Sequence, residues 1–279
     1  MCVIWGIPYL MIRVAVRELA PVLLVFLRTG LAALLLVPLA VRRRELRPLL
    51  ARWRPLLAYT AIEVALPWFL LSHAETKLTS SLTGLLIAAV PLVGALIVSL
   101  SGERVRLGGR RWLGLLVGLG GVAAIVGLDL GRMDAVALVE IALVAVCYAL
   151  GPIILSRRLN GAPALGVVAA SLALSALAYA PLAAFRWPGG MPSAHVVESV
   201  VGLAVVCSAA AFLLFFALIS EVGPVRATVI TYVNPAVAAV VGVLLLSEHL
   251  TAGMLLGFAL VLAGSVLATT RSPEAVPEP

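Results

Sequence analysis

The feature that most constrains this chain is a succession of about ten apolar runs, roughly 2–16, 22–41, 55–74, 81–101, 112–130, 135–155, 164–184, 197–219, 225–246 and 253–270. A helix rises about 1.5 Å per residue, so a hydrocarbon core of about 30 Å takes about 20 residues to cross. A helix also satisfies its own backbone N–H and C=O groups, as lipid requires. The runs therefore predict an all-α integral membrane fold of about ten transmembrane helices. The first run is the short one. Before Arg17 it covers about 24 Å, which predicts a truncated first helix or one that relies on local thinning and snorkelling.

Composition agrees. Of the 279 residues 63% are hydrophobic and 12% charged, against about 45–50% and about 25% in soluble domains. A single soluble core stops growing near about 250–300 residues and still needs a polar exterior. The net charge of +7 lies in short gaps between apolar runs, so it orients helices and does not form a nucleic-acid surface. Cys2, Cys147 and Cys207 have no ligand-like spacing, which predicts neither a disulfide framework nor a metal site. The start lacks the basic region of a signal peptide.

Cytoplasmic loops collect Lys and Arg. Alternate gaps hold Arg42, Arg43, Arg44, Arg47, Arg52 and Arg54, then Arg104, Arg106, Arg110 and Arg111, then Arg157 and Arg158, then Arg226 and Arg271. The intervening gaps hold only Arg17, Lys77, Arg132 and Arg186. Both termini are expected on the cytoplasmic side.

The chain also repeats itself. With an offset of 143 or 144 residues, Val90-Pro91 meets Asn234-Pro235, Glu103 approaches Glu248, and Gly114 and Gly121 meet Gly257 and Gly264. The expected units are 1–130, 131–270 and a disordered cytoplasmic tail, 271–279. Five helices per copy makes the copies inverted, the arrangement of many secondary transporters, whose solute site lies near the midplane between the halves.

Trp5-Gly6, Leu27-Arg28, and Ser247-Glu248-His249-Leu250 followed by Gly257 and Gly264 resemble the EamA-type, ten-helix branch of the drug/metabolite transporter superfamily. The resemblance spans essentially the whole chain. It implies a bacterial inner-membrane carrier, often an exporter of metabolites, amino acids or toxic compounds. Two departures stand out: the short start of the first helix, and Glu63 where a small or apolar residue is expected.

Ionisable groups inside apolar spans are costly, about 2.5–3.5 kcal/mol each at a helix centre. They are Arg13, Arg28, Glu63 and Glu140. Arg28 is expected to meet Glu63 or Glu140, as a solute ligand or in mutual neutralisation, while Arg13 snorkels outward. Glu63, beside an arginine, is the expected proton-coupling group. The expected substrate-binding wall comprises Trp5, Tyr9, Arg28, Glu63, Trp68, Tyr148, Thr231, Tyr232 and Asn234, with Thr228 on the same face as Thr231. Trp68 reads equally as an anchor, and Asn234 equally as an interhelical hydrogen-bonder. Pro91 and Pro235, at repeat-equivalent positions, are read as hinges or gates, or as simple bends. The repeated glycines and the two repeated glutamates read as packing and boundary residues.

The leading functional reading is a secondary carrier of small metabolites or drug-like compounds, working outward by alternating access, open to proton coupling and to homodimer formation. No cofactor is called for. The chain has no Walker motif, which disfavours ATP hydrolysis. The alternatives are a polytopic membrane enzyme or a flippase acting on lipid; His73, His195 and His249 lack the clustering that an enzyme site needs.

Overall fold

The computed structural model describes residues 1–100, 109–127, 134–223 and 230–269. The expectations for Glu103, Arg104, Arg106, Arg132, Arg226, Thr228, Arg271 and the tail lie outside these residues. Ten apolar helices run through the described chain, eight of them long enough to cross a membrane. They are α1 (Cys2–Ala15), α2 (Pro21–Arg42), α3 (Trp53–Ala74), α4 (Ser80–Ser99), α5 (Gly109–Gly127), α6 (Ala135–Arg158), α7 (Ala164–Ala184), α8 (Ala194–Val222), α9 (Ile230–Leu246) and α10 (Ala252–Thr269). α1 and α9 are the two shorter ones. α1 is broken between Cys2–Gly6 and Pro8–Ala15, where Pro8 has no N–H to continue the ladder.

The inversion is legible in one helix pair. α5 and α10 pack closely. A Cβ at Gly121 would lie 2.6 Å from the Gly257 carbonyl oxygen, and one at Gly114 would lie 2.8 Å from that of Gly264. Gly114 and Gly121 are the repeat counterparts of Gly257 and Gly264, so each glycine meets the counterpart of the other. That crossing is what a twofold axis between antiparallel copies produces. α2 against α7 repeats the arrangement, and α1 on α8 mirrors α6 on α3.

Helix starts are tied down by glutamates from elsewhere in the chain. The first N–H groups of a helix lack internal partners and attract negative charge. Glu18 accepts from the Ser193 amide and hydroxyl before α8, and Glu45 from the Gly166 amide in α7. Glu248 accepts from the Ser80 and Ser81 amides, both at 2.8 Å, and from both hydroxyls. Glu45 and Glu248 each follow a residue in the left-handed region, Arg44 (φ 56°) and Ser247 (φ 55°). That turn ends α2 and α9 and swings the next side chain across to the other repeat.

Two widened, π-helical turns interrupt α3 at Thr60–Ala65 and α8 at Val205–Ala210. Their starts, 60 and 205, lie 145 apart, within a residue of the repeat offset. In α3 the cause is Pro67, whose ring crowds the Glu63 carbonyl four residues back and offers it no N–H. In α8 the Ser208 hydroxyl donates to the Leu203 carbonyl at 2.8 Å, inserting a side chain into the ladder.

The two prolines expected as matched hinges behave differently. Pro91 follows a break between Ser80–Ile87 and Val90–Leu100, whereas Pro235 lies inside α9 as a continuous helix. Asn234, beside Pro235, reaches two other carbonyls. Its amide donates to the Ile230 carbonyl at 2.9 Å and to the Cys2 carbonyl of α1 at 3.1 Å.

Candidate functional site

The widened turn of α8 is where the buried arginine lands. Arg28, 6% exposed in mid α2, donates through Nε to Ser208 Oγ at 3.0 Å. Its guanidinium carbon lies 3.6 Å from the centroid of the Trp68 ring of α3. A cation stacked on a desolvated indole gains about 2 kcal/mol. Tyr9 of α1, Tyr148 of α6, Cys207 of α8 and, without pairing, the Glu75 carboxyl beyond α3 stand within electrostatic reach of the guanidinium. Among the described residues neither terminal nitrogen of Arg28 has a hydrogen bond, and no carboxylate pairs with it. The site is a planar cation with two donor nitrogens unspent, walled by aromatic rings and fed by helices of both repeats.

Thr60 and Ser171 form the mirror-image contact, a 3.0 Å hydrogen bond between the widened turn of α3 and α7. There the charged residue is on the widened turn itself. Glu63 packs its carboxylate into the space left by Gly151 of α6, where any Cβ would collide with Oε2. That oxygen has no hydrogen-bond partner.

The expected pairing of Arg28 with Glu63 or Glu140 is not what the chain builds. Glu140 pairs with His73 Nδ1 at 2.8 Å, and Arg13 donates to the backbone carbonyl of Glu75 just past the end of α3. The rotation of each helix about its axis, set by packing, points Arg28, Glu63 and Glu140 apart. Arg13 reaches the Glu75 carbonyl past the last turn of α3, at the negative end of the helix, where cations are favoured. Tyr148 lies within electrostatic reach of both Arg28 and Glu63.

Of the other expected residues, Tyr9, Trp68 and Tyr148 join Arg28. Trp5 packs its ring against Phe215 at 4.8 Å and Phe212 at 6.0 Å on α8. Tyr232 bonds Thr269 of α10 at 3.1 Å, and Thr231 is exposed. Asn234 ties α9 to α1. Sequence reasoning missed Ser208, one serine in an apolar run, and Glu75, which reads as a loop residue beside Lys77. Glu248 is legible through the repeat only as a boundary and packing residue.

These features define a multi-pass, all-α membrane protein of two inverted repeats with a buried polar site between them. The chain belongs to the EamA-like transporter family, whose model matches residues 1–127 and again 136–270. YvbV of Bacillus subtilis (strain 168), an uncharacterized transporter, is 24% identical over 97% of this chain and 89% of its own. YedA of Escherichia coli (strain K12), an uncharacterized inner membrane transporter, is 29% identical over 96% and 87%. A crystal structure superposes with a TM-score of 0.69 at 20% identity, over 96% of this chain and 94% of that one.

Proposed function

We propose that the protein is a secondary carrier that moves small metabolites or drug-like compounds outward by alternating access between repeats 1–130 and 131–270. Its place is a bacterial inner membrane, with both termini cytoplasmic. Family membership, the name of the YedA relative and the arginine-rich alternate gaps support that placement.

The observation that carries the reading is Arg28. A buried guanidinium that spends only Nε on protein is expensive to keep unless its remaining donors serve a ligand. Trp68, Tyr9 and Tyr148 supply a wall for an apolar or aromatic body. Because α2 and α3 belong to one repeat and α6 and α8 to the other, rocking the repeats exposes the same group to either side. An enzyme has no comparable use for the symmetry.

Purified protein in proteoliposomes, assayed for uptake and efflux of a metabolite panel with and without a pH gradient, tests the proposal. Substrate-dependent flux supports it. Conversion of a lipid without flux overturns it in favour of an enzyme, and lipid translocation without solute flux overturns it in favour of a flippase. Arg28→Lys keeps the charge but loses the planar stack and the Nε–H. It is expected to weaken apparent solute affinity about tenfold or more.

A further inference from the structure

Among the described residues one carboxyl group is fully enclosed and has no hydrogen-bond partner. Glu75, just past the end of α3, is 0% exposed, and neither Oε1 nor Oε2 has a hydrogen-bond partner. The nearest cation does not pair with it, since Arg13 gives its Nη1–H to the backbone carbonyl of the same residue. The charged and titratable groups that face it are Arg13 and Tyr9 from α1, Arg28 from α2 and Glu248 beyond α9. On its own segment, His73 is engaged by Glu140, and Lys77 by Asp134 at 2.8 Å.

Glu75 also sits beside the seam between the repeats. Five residues on, Ser80 and Ser81 begin α4 and are held by Glu248 from the second repeat. Thr83, in the next turn, is 0% exposed. This seam is closed in the structure.

We propose that Glu75 is a proton-binding site of the carrier, occupied when the α1–α4–α9 seam is closed and emptied to water when the seam opens. The inference rests on the alternating-access reading and deepens it by naming the coupling ion and its carboxyl group. Enclosing an unpaired carboxylate is far costlier than enclosing the neutral acid. A metal cation is a poor substitute, because Arg13 already occupies this neighbourhood with positive charge. The closed state therefore holds the proton more tightly than the open one. By linkage, raising the pH shifts the seam toward open and lowering it shifts the seam toward closed. The same cycle couples proton release on one side to re-exposure of the Arg28 site.

The test needs no substrate. In full-length protein lacking its three native cysteines (Cys2→Ser, Cys147→Ala, Cys207→Ala), Thr83→Cys reports seam opening through its rate of alkylation by a membrane-impermeant maleimide. Rates are corrected for intrinsic thiol ionisation using an unfolded control. The corrected rate is expected to rise about tenfold for each unit of difference in proton affinity between the states, as pH goes from about 5 to about 8. With Glu75→Gln added, the change is expected to fall below about twofold, the seam staying closed, while Glu63→Gln leaves the response intact. A Glu75→Gln protein that keeps the pH response overturns the proposal. So does a parent with no response, or a response abolished by Glu63→Gln and not by Glu75→Gln. Failure of Glu75→Gln to fold also overturns it, because Gln has the shape of the neutral acid proposed to reside there. Absence of solute flux with an intact labelling response would instead count against the carrier reading alone.

Discussion

Single side chains in this protein act mostly by reaching across to another segment, and their contributions are measurable. Glu248 satisfies two buried amides and two hydroxyls at the start of α4. Truncating it strands those donors. Glu248→Ala is therefore expected to cost about 2–4 kcal/mol, read as a lowered unfolding temperature in detergent. In the same α3–α4 connection, Lys77 hydrogen-bonds Asp134, and together with the Ala137 amide it holds that carboxylate below the usual range. The folded state thus prefers the ionised form, so the contribution is present above the ordinary Asp range and is lost as pH falls through the depressed value. The difference in unfolding temperature between parent and Asp134→Asn is expected to disappear in acid and to be full at neutral pH. These residues were visible as charges in gaps, but their partners lie 57 and 168 positions away. Nothing in a local window announces such partners.

Between elements, the working unit is a helix whose regularity is broken at a place the repeat duplicates. The widened turns of α3 and α8 are equivalent in position yet arise from different chemistry, a proline four residues beyond Glu63 and a serine hydroxyl folded back on Leu203. One turn carries the charged group itself, and the other receives the arginine. Pro67 was legible in the sequence and the π turn was not, since a proline specifies a lost hydrogen bond but not how neighbours accommodate it. The glycine pairs are the opposite case. Gly114, Gly121, Gly257 and Gly264 were readable as a close-packing face, and they pack α5 on α10 backbone to backbone. Gly121→Val must push its Cβ toward the Gly257 carbonyl. It is expected to cost about 1–3 kcal/mol and to be seen as a lower midpoint in thermal unfolding.

For the molecule as a whole, the two repeats are interleaved. α2 packs on α7, α5 on α10, α1 on α8 and α3 on α6, so each repeat's largest surfaces are covered by the other. Residues 1–130 expressed alone are expected to be degraded rapidly, and co-expression with 131–279 to restore protease resistance, measured by immunoblot of membranes. A half that persists alone would mean that its cohesion comes from within. By itself the sequence determined the solvent, the number and length of the helices, the duplication and the family, because each follows from hydropathy and spacing along one dimension. Only the tertiary structure decided which groups meet. It set Arg28 on Ser208 and Trp68 and away from Glu63, brought Arg13 to the carbonyl of Glu75, and enclosed a carboxyl group that read as part of a loop. Depth in a membrane is written in residue number, but azimuth is set by how small residues let neighbouring helices rotate and approach.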